Sequence, residues 1–101
     1  MAGNFRITAS APGRLEAHGA MSYESAAQAL QAGLALIPRE SECTIDLSQV
    51  TEADSAGLAV LVEWLATARI RHTTIHYQAI PAQILAVARI SDLDELLTEG
   101  K

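Results

Sequence analysis

Asp54, Ser55, Ala56 and Gly57 stand where a run that alternates like a strand gives way to one with helical spacing. A hydroxyl beside a carboxylate at such a junction suits three kinds of chemistry. Asp54 or Ser55 can cap the helix by accepting a hydrogen bond from an orphan backbone N–H of its first turn, a role that stabilises by about 1 kcal/mol. Ser55 can carry a phosphate, which would meet the positive end of the helix dipole although Asp54 beside it opposes the added charge. Ser55 can also act as an acyl-transfer nucleophile, provided a base reaches it.

The nucleophile is the poorest fit of the three. A Gly-x-Ser-x-Gly elbow needs glycine two residues before the serine, and Ala53 stands there. The bases on offer, His18, His72 and His76, occur at no diagnostic spacing, and His76 alternates within a strand-like run. Asp46, Glu52 and Asp54 can approach one another, but no ligand motif joins them, so neither a metal nor another cofactor is expected.

The elements that must position this junction follow from periodicity. Two short strands, about Phe5 to Ser10 and Leu15 to Gly19, flank the turn signal Ala-Pro-Gly-Arg and predict a hairpin. Ala26, Ala27, Leu30 and Leu34 fall at helical spacing, with Ser22 placed to cap and Pro38 beyond the end. Cys43, Ile45 and Leu47 alternate with Thr44, Asp46 and Ser48, the period of a strand with one buried face and a central place in the sheet. From Ala56 to about Ile70 the period becomes helical, with Leu58, Leu61, Val62 and Leu65 on one stripe.

The run from His72 to Ile80 alternates again. Pro81 suits the first turn of a third helix carrying Ile84, Val87 and Ala88, and Ser91 precedes a short last one with Leu93, Leu96 and Leu97 as its apolar face. The order β-β-α-β-α-β-α-α predicts an α/β fold in which a small mixed β-sheet packs against helices, because each strand–helix–strand unit favours parallel pairing.

Composition agrees. The 101 residues suit one domain, residues 1–101, with a single core, and 50% hydrophobic but only 4% aromatic content makes that core aliphatic. A formal charge of −5 gives no attraction to phosphate backbones or anionic headgroups, so nucleic acid is not expected as a partner. Cys43 is the single cysteine, which excludes an internal disulfide and reads as a small buried hydrophobe. The first residues lack the pattern of a secretory signal, and there is no apolar run of about 20 residues to span a bilayer; a cytoplasmic protein is the expectation.

One further feature concerns partners. On a 100° wheel Val60, Trp64, Thr67 and Arg71 form a second face, centred about 120° from the stripe of Leu58, Leu61 and Leu65. The expectation is that the only tryptophan faces away from the core, as an interface anchor or as a lid over a core edge.

The run Thr44 to Leu65, "TIDLSQVTEADSAGLAVLVEWL", resembles the central signature of STAS domains, the family of anti-sigma factor antagonists and related modules. Its marks are a strand ending Asp-Leu-Ser, a short loop, and Asp-Ser-x-Gly-Leu opening a helix. The late Ile84-x-x-Val87-Ala88 and Leu93-x-x-Leu96-Leu97 extend the resemblance along the chain. Leu58-Ala59 followed by Glu63-Trp64-Leu65 is similar to the MlaB branch, the STAS subunit of an ABC transporter for phospholipid, more than to sigma regulators, which more often have glycine after that leucine.

The resemblance implies a STAS fold and a non-catalytic module. It would bind the transporter's ATPase subunit (MlaF-like) through Asp54, Ser55, Ala56, Gly57, Val60, Trp64, Thr67 and Arg71, staying cytoplasmic and peripheral to the inner membrane through that partner, without inserting. Under the alternative it would be an anti-sigma factor antagonist, with Ser55 phosphorylated by a partner kinase. Gly57 would be the small residue that lets the turn pack closely.

Overall fold

The computed structural model describes residues 4–99. Strands β1 (Phe5–Ala11) and β2 (Arg14–Met21) are followed by α1 (Ala26–Leu36), β3 (Glu42–Ala53), α2 (Ser55–Ile70), β4 (Thr74–Gln78), α3 (Ala82–Ile90) and α4 (Asp94–Glu99). This is the order the periodicity predicts. The Pro-Gly hairpin turn closes with Gly13 at φ 73°, a conformation glycine adopts without strain. β1 pairs antiparallel with β2, while β2–β3 and β3–β4 are parallel, so the four-stranded sheet is mixed and runs β1-β2-β3-β4.

Alternation decides which face of the sheet is covered. Phe5, Ile7, Leu15, Ala17, Cys43, Ile45, Leu47 and Ile75 are buried under the helices, while Arg6, Thr8, Thr44, Asp46, Thr74 and His76 keep contact with water. β3 runs beyond the alternating stretch from Cys43 to Ser48, continuing to Ala53 beside Met21 of β2. That extension delivers the Asp-Ser-Ala-Gly junction to the end of the sheet.

Three local expectations are corrected. Ser22 does not cap α1; Ser25 precedes the helix and is fully buried, its hydroxyl donating to Ala20 O at 2.7 Å and accepting from Ser22 N at 2.9 Å, which closes the turn instead. Pro81 sits just before α3 rather than inside it, its carbonyl accepting from Ile84 N and Leu85 N. Ser91 closes α3, its N–H donating to Val87 O and Ala88 O, and α4 begins only at Asp94.

The larger correction concerns α2. Trp64 is 0% exposed and Val60 is buried, so neither is an outward-facing contact residue. α2 lies between α1 and α3 as well as over the sheet, and Gly57, Leu58, Val60, Leu61, Trp64, Leu65 and Ala68 together bury an arc of about 160°. The wheel measured from the leucines alone took the α1-facing flank for a solvent face.

Gly33 of α1 makes room for the indole: a Cβ built there would collide with Cε2, Cζ2 and Nε1 of Trp64. The ring's Nε1–H donates to Leu30 O at 3.2 Å, and Phe5 packs against it at 6.4 Å between centroids, tilted by 48°. An exposed mid-helix glycine would gain about 1 kcal/mol on replacement by alanine. Here Gly33→Ala should instead destabilise by about 1–3 kcal/mol through overpacking, read as a lower urea midpoint; an unchanged or higher midpoint would show that the indole does not fill that slot.

Tyr77 of β4 fastens the sheet to α2 by donating its hydroxyl to Leu61 O at 2.7 Å. Burial, with a smaller contribution from nearby Cys43, pushes this phenol well above its ordinary range, and burial also raises the Cys43 thiol. Both shifts favour the protonated form in the folded state. Their stabilisation is therefore complete below the ordinary thiol and phenol values and is lost as pH rises through and beyond them. Thermal midpoints should fall above about pH 9–10, with a shallower fall in Tyr77→Phe; parallel profiles would refute the assignment to Tyr77.

Candidate docking site at the start of the central helix

The backbone of Asp54 is extended (φ −142°, ψ −167°), as a residue before a helix must be. Its Oδ1 accepts from Ala56 N at 2.8 Å, and its carbonyl accepts from Gly57 N at 2.9 Å. Asp54 is thus the cap, which resolves the alternative left open between it and Ser55. The second carboxylate oxygen, Oδ2, accepts from Tyr23 N at 3.0 Å and ties the turn between β2 and α1 to the start of α2.

Relieved of capping, Ser55 is the first residue of α2 and is exposed. Ala56 is half-buried behind it. Gly57 packs as closely as expected: a Cβ there would come within 2.6 Å of Met21 O and 3.1 Å of Ile84 Cδ1.

From Ser55 the water-facing side of α2 runs through Ala59, Glu63, Ala66 and Ile70, all exposed, Ile70 at 78%. A wheel centred on the leucines misses Ala59, Glu63, Ala66 and Ile70, although the spacing 55, 59, 63, 66, 70 is itself a helical face. Thr67 lies half-buried at its margin. Arg71 is corrected to a structural role. Its Nη1 donates to Leu34 O and Ile37 O, both at 2.8 Å, placing a cation on the last carbonyls of α1.

The other candidate chemistries do not assemble. His18 and His76 lie on the open side of the sheet with Glu16 and Glu42. His72 follows the far end of α2, which at 1.5 Å per residue is about 24 Å from Ser55. Asp46 is held apart from Asp54: Ser48 N donates to it at 2.9 Å and Arg14 pairs with it at 3.1 Å. The hydrogen bonds from Ser48, then the Arg14 charge, hold its carboxyl below the ordinary range.

The fold matches that of a solved anti-sigma factor antagonist. The structure described as the anti-sigma factor antagonist SpoIIAA in its unphosphorylated form is similar with a TM-score of 0.62 at 9% identity, covering 85% of this chain and 82% of that one. A second similar structure, described only as Mglu, gives 0.57 at 19% identity over 79% of this chain but 20% of that one. A model of the family described as "Mlab, STAS domain" matches residues 6–98, and the chain belongs to that family. A search of curated proteins found no match.

The geometry separates two neighbouring residues by stability. Asp54→Ala should lose about 1 kcal/mol or more, because both the α2 cap and the tie to Tyr23 go, whereas Ser55→Ala should leave the unfolding midpoint almost unchanged. Equal losses in the two variants would mean that Ser55 shares the cap.

Proposed function

We propose that this domain is a non-catalytic STAS subunit that docks onto the ATPase subunit of an ABC transporter for phospholipid, supporting its assembly or activity. The observation that carries the reading is the free hydroxyl of Ser55, released from capping by Asp54, at the head of an uninterrupted water-facing strip on α2. The family description and the match to the MlaB-type signature support the choice of a transporter partner. The docking surface comprises Asp54, Ser55 and Ala56, with Ala59, Glu63 and Ile70 in place of the inward-facing Val60 and Trp64 and the α1-bound Arg71; Thr67 borders it.

No helix among the described residues is long and apolar enough to cross a membrane. In the proposed reading, attachment to the inner membrane comes through the partner, with the domain on its cytoplasmic side. Lipid need not touch this subunit.

The test is affinity purification of the tagged chain from its native cells in mild detergent, wild type beside Ser55→Asp and Ala59→Arg, with co-purifying proteins identified by mass spectrometry. Wild type should bring down an ABC ATPase with its permease, and both variants should lose most of that recovery while remaining folded. Undiminished recovery with both variants would refute the surface. The exposed Ser55 also suits a switch of the anti-sigma antagonist kind; a kinase recovered without a permease, together with a phosphate on Ser55, would replace the transporter reading with that one.

A further inference from the structure

Tyr23 stands in the turn between β2 and α1 with 83% of its surface in water. In a chain with 4% aromatic residues, a large ring left in solvent is an unusual use of one, and tyrosine is among the residues that dominate binding energy at interfaces. Its backbone is not loose. Oδ2 of Asp54 holds Tyr23 N at 3.0 Å while Oδ1 caps α2, and the buried Ser25 hydroxyl braces the same turn through Ala20 O and Ser22 N. Tyr23 and Ser55, distant in sequence, therefore belong to one braced surface.

Acidic groups predominate around that surface. Among the described residues at this end of the domain, 20–28, 50–60 and 79–86 contain Glu24, Glu52 and Asp54 and neither lysine nor arginine, while the start of β1 brings one cation, Arg6, opposite His18. Arg39, Arg69, Arg71 and Arg89 lie at or just beyond the opposite ends of α1, α2 and α3. A partner seated here meets an aromatic ring among carboxylates.

We infer that Tyr23 is the aromatic anchor of the docking surface and enters an apolar pocket on the ATPase subunit whose rim carries lysine or arginine. This rests on the docking function proposed above. Asp54 acts in it as a positioning residue, setting the turn that presents the ring.

The experiment titrates the purified ATPase subunit of the phospholipid transporter from the same cells with the wild-type chain, Tyr23→Ala, Tyr23→Phe and Glu24→Lys, at low and at physiological salt. Tyr23→Ala should weaken binding about tenfold or more with an unchanged thermal midpoint, and Tyr23→Phe should retain most of the affinity. Wild-type binding should weaken as salt rises, and Glu24→Lys should bind less well. Asp54→Ser, which keeps one oxygen for Ala56, should speed hydrogen exchange at the Tyr23 amide and weaken binding.

Wild-type affinity in Tyr23→Ala overturns the anchor while leaving the docking function standing. Binding that ignores both salt and Glu24→Lys overturns the basic rim, and unchanged exchange at Tyr23 removes Asp54 from its positioning role. Failure of the wild-type chain itself to bind the ATPase overturns the docking function and the anchor with it.

Discussion

The indole of Trp64 occupies the space that a β-carbon on residue 33 would need, and the seam between α1 and α2 is set by that substitution of ring for side chain. Helices normally approach to 8–10 Å because side chains hold them apart; a glycine facing a tryptophan trades one large group for an empty position. The ring's N–H, which burial would otherwise leave unpaired, goes to Leu30 O. About two turns further along α2, Arg71 grips Leu34 O and Ile37 O. Fastened at both levels, α2 cannot roll about its axis, and the side it turns to water is determined by the side it gives to α1.

A helix fixed in rotation still needs its end fixed, and Asp54 does this with both carboxylate oxygens. One satisfies an orphan N–H of the first turn; the other holds the neighbouring turn at Tyr23. Had Ser55 supplied the cap, its hydroxyl would have been consumed by the backbone. With aspartate in that place the hydroxyl projects from the first residue of the helix, where a partner or a kinase can reach it. Gly57 completes the arrangement by allowing Met21 O to approach the helix more closely than any side chain would permit.

Element order, the buried face of β3 and the hairpin turn were legible in the sequence, because each rests on a local period or a single backbone requirement; the close packing at Gly57 followed only from the resemblance to STAS domains. The direction of Trp64 was not. A wheel centred on Leu58, Leu61 and Leu65 assumes one covered side, whereas a helix flanked by neighbours buries a far wider arc, and the sequence of α2 does not say which flank carries a second helix. The missing signal lay elsewhere, in Gly33: a glycine in the middle of a helix lowers its stability by about 1 kcal/mol unless something needs the space, and Trp64 does. Ser22 and Ser91 misled for a related reason, since a serine near a helix start can close the preceding turn or helix instead, and tertiary hydrogen bonds decide between the two.

The charges at the docking end serve the fold and the interface together. α1, α2 and α3 all begin there, so their dipoles present partial positive charge, and carboxylates beside helix starts are stabilising. Glu24 and Asp54 meet this demand for α1 and α2, and Asp54 does so through a direct hydrogen bond. Once those dipoles are met, the formal charges of Glu24, Glu52 and Asp54 remain, and they suit the basic partner surface proposed above. A phosphate on Ser55 would add about −1.5 to −2 charges to an end that is already acidic, opposing any such partner. The proposed docking onto an ATPase and the alternative switch by a kinase would thus draw on the same electrostatics, and a single negative substitution at Ser55 would act on both through repulsion rather than through loss of the helix cap.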